Sequence, residues 1–151
     1  MSTLYHALVN EKAKAVFRVF DHVTIYLLIA GTYTPYTLAC LGGALGWTLF
    51  GIVWAAAIVG IVFSSISLRR FQKLSMICYI AMGWVILIAI KPLWQVIGTL
   101  PMVFLVIGGV LYTGGVLFYQ MKESRYMHSI WHLFVIAGSI FQYFSILLAL
   151  T

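Results

Sequence analysis

His128 and His132 stand four residues apart in HSIWH, at the mouth of the last apolar segment of the chain. On an α-helix this spacing amounts to about 40° of azimuth and about 6 Å of rise. The two imidazoles therefore share a face and can grip one metal ion. The segment they open, 130–150, contains no Asp, Glu, Lys or Arg. Ionisable side chains at the mouth of such a span are costly to keep and point to function. Two other places carry chemistry of the same kind. His6 follows Ser2 by four residues in STLYH, and Asp21 opens the first long apolar run.

The elements that must position these residues are membrane helices. Hydrophobic residues make up 64% of the 151 residues and charged residues 8%, against roughly 25% charged in a soluble domain. Five apolar runs, 23–41, 47–68, 74–90, 101–119 and 130–150, have the length a helix needs to cross the hydrocarbon layer. The expected fold is all-α: one polytopic transmembrane bundle over 1–151, with five spans and an N-terminal helical stub. The residues ahead of Glu11 reach only about half the bilayer at about 1.5 Å per residue. They do not form a signal peptide, because the first apolar run starts late, follows Asp21 and His22, and is too long.

Charge placement sets an orientation. Lys12, Lys14 and Arg18 precede span one, Arg69, Arg70 and Lys73 separate spans two and three, and Lys122 and Arg125 separate spans four and five. Those eight lie on one side against Lys91 on the other, which predicts that the basic loops are cytoplasmic and the C-terminus is outside. The net charge of +6 is thus a membrane signal, and nucleic acid is excluded as a partner. His6, Asp21, His128 and His132 all fall on this cytoplasmic side. Three imidazoles and a carboxylate from three helices suit Zn²⁺, with three ligands leaving a fourth position for an acidified water. Asp21 could hydrogen-bond that water as a general base or serve as a ligand itself. Ser2 could support an imidazole or hydrogen-bond a substrate. The plainer readings are a solvated His6 and an Asp21 that caps its helix. HxxxH is moderately specific and lacks the internal glutamate of HExxH metalloproteases. His22 points roughly 100° away from Asp21 and stays outside the ligand set.

Punctuation along the chain follows from residue type. Gly42, Gly43 and Gly46 separate spans one and two, Lys91-Pro92 ends the third, and Thr99 with Pro101 caps and opens the fourth. Pro35 should kink span one or loosen its outer half. Gly51 with Ala55, Ala56 with Gly60, Gly108-Gly109 and Gly114-Gly115 are spaced for close helix packing within the bundle. An oligomer interface is not indicated. Trp47, Trp94, Tyr119, Tyr126 and Trp131 read as interfacial anchors. Cys40 and Cys78 differ in depth by roughly 20 Å, too far for a disulfide.

STLYH, FDHVTIYLLIAGTYTP, AMGW and HSIWHLFVIAGS closely resemble the bacterial hemolysin III family, which is related to the progestin and adipoQ receptors. The resemblance covers essentially the whole chain. It implies a seven-helix protein of the bacterial plasma membrane with zinc near the cytoplasmic face. By motif position the ligands would be His6, His128 and His132, with Asp21 holding the water and Ser2 beside it. Two departures are expected. The chain starts inside the helix of the SxxxH motif, two spans short of the family pattern, and Gln142 stands where many relatives carry histidine. Three functions follow as expectations. One is a zinc-dependent membrane hydrolase of a lipid amide or ester, with membrane lipids as substrate. The others are a pore-forming, haemolytic protein and a receptor-like sensor with structural zinc.

Overall fold

The computed structural model describes residues 11–66, 68–120 and 127–151, and all their regular structure is helical. Helix α1 (Glu11–Thr34) runs into a π-helical segment, Pro35–Leu41, and α2 (Gly43–Ile66) returns. Helix α3 (Leu68–Trp84) continues through a 3₁₀ turn, Val85–Ala89, into α4 (Ile90–Ile97). Helices α5 (Thr99–Gln120) and α6 (Met127–Leu150) complete the bundle. Five stretches are long and apolar enough to cross a membrane: Val19–Leu41, Gly43–Ile66, Leu74–Ile97, Thr99–Phe118 and Ser129–Leu150. Helices suit that setting because every backbone N–H and C=O can find its partner within its own segment.

Lys91-Pro92 does not end the third span, contrary to the reading of the sequence. That span continues to Ile97, and the turn is made by Gly98 at φ 79. The reason lies in where Pro92 falls. It occupies the first turn of α4, where no intrahelical amide is needed. Pro35 acts as expected. Its ring and missing N–H interrupt the α-ladder, and the chain widens into the π-helix. Hydroxyls cover carbonyls around the break, with Thr34 donating to Ala30 at 2.9 Å and Thr37 to Tyr33 at 2.9 Å.

Packing follows the small residues, though not all of them. Gly60 of α2 is buried against the Tyr26 ring of α1, where a Cβ would overlap the ring. Gly108 of α5 and Gly138 of α6 face each other, with Gln142 and Tyr112 folded over them. Gly115 lies against Phe134 and Trp131. Gly51 and Ala55 instead face outward, and Gly51 and Gly109 have no neighbour within 4 Å of an added Cβ. Trp131 also departs from expectation. It is 6% exposed and belongs to the core, whereas Trp47 and Trp94 lie on the surface as anchors would. Cys40 and Cys78 are both free thiols.

Candidate functional site

One stripe of span one is buried in the bundle. His22, Tyr26, Ala30, Tyr33 and Thr37 recur every three or four residues and all are buried. A cavity of about 110 Å³ lies between α1, α3 with its 3₁₀ turn, α5 and α6. Along α1 its wall extends from His22 to Tyr36, about 21 Å at helical rise. The wall is mostly aliphatic and aromatic, including Ile25, Leu28, Ile29, Met76, Ile80 and Val135.

Two levels bound this space. At one end Tyr36 donates to Ser145 Oγ at 2.6 Å, and Ser145 donates to the Pro101 carbonyl at 2.6 Å. Gln142, near the same level, is 7% exposed and donates to the Leu105 carbonyl at 3.2 Å. At the other end stand His22 and Trp131. Spans one and five run in the same direction, since each span reverses the last. Tyr36 follows His22 by fourteen residues and Ser145 follows Trp131 by fourteen, so the two pairs are level with each other. His22 Nδ1 lies 3.0 Å from the Tyr79 hydroxyl, and that hydroxyl reaches the His22 carbonyl at 3.2 Å.

The residues singled out by sequence sit beside this second end where they are described. Asp21 immediately precedes His22 on α1 and is half-buried. His132 immediately follows Trp131 on α6, also half-buried, with its ring centroid 4.5 Å from the Trp131 indole. His128 lies in the first turn of α6, and the backbone is α-helical from there through His132. The four-residue spacing is therefore a one-turn spacing on a continuous helix. Ser2 and His6 lie outside the described residues. Among the described residues no group of three or more His, Cys, Asp or Glu could hold a metal ion. The expected trio includes His6, so its assembly is not visible in these helices. Within them, His128 and His132 stand one helical turn apart on α6, and Asp21 lies on α1, a span in contact with it.

His22, which azimuth places outside the ligand set, has a prominent place in the structure. It is 5% exposed and lines the cavity. The available signal was the buried stripe itself: His22 heads a three-to-four residue repeat of aromatic and small residues, while Asp21 lies off it.

These features define an integral membrane protein of the helical-bundle class, with an apolar cavity that has His22 and Trp131 at one end. The family described as "Haemolysin-III related" matches residues 1–143, and the chain belongs to it. It is 47% identical to Hemolysin-3 of Bacillus cereus over 97% of its own length and 67% of the relative's. With the Hemolysin-3 homolog of Bacillus subtilis it shares 44% identity, covering 97% of this chain and 68% of that one. A more distant relative is the human monocyte to macrophage differentiation factor, 24% identical over 97% of this chain and 63% of that protein. The chain spans about two thirds of the length of these relatives. No solved structure matches it.

Proposed function

We propose that the protein is a zinc-binding membrane hydrolase acting on a lipid amide or ester. The observation that carries this reading is an apolar cavity with His22 and Trp131 at one end, the chain neighbours of Asp21 and His132. Asp21 precedes His22, and His132 follows Trp131. An acyl chain would lie along the wall between His22 and Tyr36, and the polar bond to be cleaved would sit among the ionisable groups. Zinc held by His6, His128 and His132 would supply Lewis-acid polarisation of a carbonyl and an acidified water. Asp21 would accept the proton of the attacking water and Ser2 would support the site by hydrogen bonding. Hydrophobic walls along the rest of the cavity exclude bulk water from that chemistry.

The site is read as cytoplasmic because the basic residues flank the ends of the spans that carry it. A pore has less support. Among the described residues, the cavity wall carries no ring of charged side chains of the kind that lines ion pathways.

The test is lipid turnover by purified protein in vesicles containing amide-linked and ester-linked lipids, read as free fatty acid released. Wild type should release fatty acid and Asp21→Asn should lose on the order of 100-fold or more in rate. Vesicle leakage without turnover would replace this reading with the pore. Zinc loss that melts the bundle, with no substrate consumed, would replace it with a structural zinc.

A further inference from the structure

The helices that wall the cavity all run, at one end of it, into basic stretches of chain. On α3, Lys73 stands three residues before Met76, a wall residue, and Arg69 and Arg70 lie one turn further out. On α1, Arg18 stands four residues before His22, with Lys14 and Lys12 beyond it. Lys122 and Arg125 lie in sequence between Val116 of α5 and Trp131 of α6, both wall residues. At helical rise, the backbone positions of Lys73 and Arg18 are about 5 Å and about 6 Å along the axis from those wall residues. Both are within the Debye length of about 8 Å at physiological ionic strength.

The two ends of the cavity therefore differ in charge. Eight basic residues and three acidic ones, Glu11, Asp21 and Glu123, belong to the end with His22 and Trp131, and Lys91 alone to the opposite side. Among the described residues, the wall between the ends carries no Asp, Glu, Lys or Arg. At the far end Tyr36 donates to Ser145, and Ser145 to the Pro101 carbonyl. Those groups are neutral. A lipid with its chain along the apolar wall is thus oriented by charge, with an anionic head at the basic end. Basic loops also orient a protein in its membrane. The further observation is that the basic side coincides with one end of a cavity that fits an apolar chain.

We propose that this end of the cavity selects lipids with an anionic, phosphate-bearing headgroup, so that the lipid cleaved at the site is of that class. The cleavage rests on the hydrolase reading above, while the headgroup preference stands on the placement of charge along the helices. Lys and Arg beside a membrane surface attract anionic lipids, about fivefold for each residue. Arg suits phosphate in particular, because its planar fork of donors matches phosphate oxygens. A zwitterionic headgroup has no net charge for this field to hold.

The test is lipid retention by the purified full chain in detergent micelles doped with equal amounts of phosphatidylglycerol and phosphatidylcholine of identical chains. The readout is mass spectrometry of the lipid that stays with the protein once excess is removed. Membrane orientation plays no part in a micelle, so the orienting role of the basic residues does not enter. Wild type should retain the anionic lipid on the order of tenfold over the neutral one at about 0.1 M salt. That preference should fade at about 1 M salt, where the Debye length falls to about 3 Å. Arg69→Gln/Arg70→Gln/Lys73→Gln should bring retention towards parity, and Lys91→Gln should leave it unchanged. Equal retention of the two lipids by wild type would overturn the proposal even if the triple variant failed to fold. A preference undiminished at high salt, or lowered as much by Lys91→Gln as by the triple variant, would also overturn it. Anionic retention with no fatty acid released from vesicles of either lipid would overturn the hydrolase reading and leave the headgroup preference in place.

Discussion

The Tyr33 hydroxyl of the first span stands in the break of the third, accepting the Ile86 amide at 3.0 Å. It returns its own proton to the Gly83 carbonyl at 2.8 Å. Those two backbone groups, three residues apart, would otherwise face each other across one 3₁₀ turn. A side chain inserted into the ladder is an identifiable cause of a helix break, and here it comes from the residue two positions before Pro35. The Tyr33 side chain of span one thus enters the break of span three, and Tyr33, Gly83 and Ile86 all border the cavity.

Removing that hydroxyl should be costly. Tyr33→Phe leaves the Ile86 amide and the Gly83 carbonyl without their shared partner, at about 1–3 kcal/mol. The expected outcome is a lower melting temperature in detergent and faster hydrogen exchange at Ile86. An unchanged exchange rate at that amide would show that the hydroxyl is not part of the fold.

Two glycines on one helix should behave oppositely. A Cβ at Gly60 would overlap the Tyr26 ring, so Gly60→Ala should cost about 1–3 kcal/mol as overpacking. Gly51→Ala adds a methyl where nothing lies within 4 Å and should stay within about 0.5 kcal/mol of wild type or stabilise the helix. Thermal unfolding of the two variants side by side checks the packing of α1 on α2. Equal melting temperatures would contradict it.

This contrast also shows how far the sequence could be read. Composition and run length placed five spans, because crossing a bilayer demands about twenty apolar residues whatever their partners. The direction in which a small residue faces is a tertiary matter. Gly51 and Gly60 both look like packing residues, yet only Gly60 meets a partner. Lys91-Pro92 looked like an end because proline and charge usually stop a span. Here the 3₁₀ turn before them restarts the helix, and Pro92 falls in its first turn. Trp131 looked like an anchor by its place near a boundary, but α6 turns it inward against Gly115. At the candidate site the HxxxH spacing and Asp21 were legible as chemistry. The cavity was not, because its wall comes from several helices that only packing brings together.

Occupying the cavity should separate binding from metal chemistry. Gly109 lines it, and an added Cβ there meets nothing within 4 Å. Gly109→Leu should therefore fold and keep its metal while blocking an acyl chain, lowering lipid turnover on the order of 100-fold by displacing the substrate. Turnover at the wild-type rate would place the substrate elsewhere.

The most direct measurement is zinc content by elemental analysis of detergent-purified protein, wild type beside the His128→Ala/His132→Ala double variant. The account predicts about one zinc per chain in wild type and loss of it in the variant, with the bundle still folded by circular dichroism. Zinc absent from both, or equal in both, would contradict the central claim that these two histidines of α6 hold a metal at the end of the cavity.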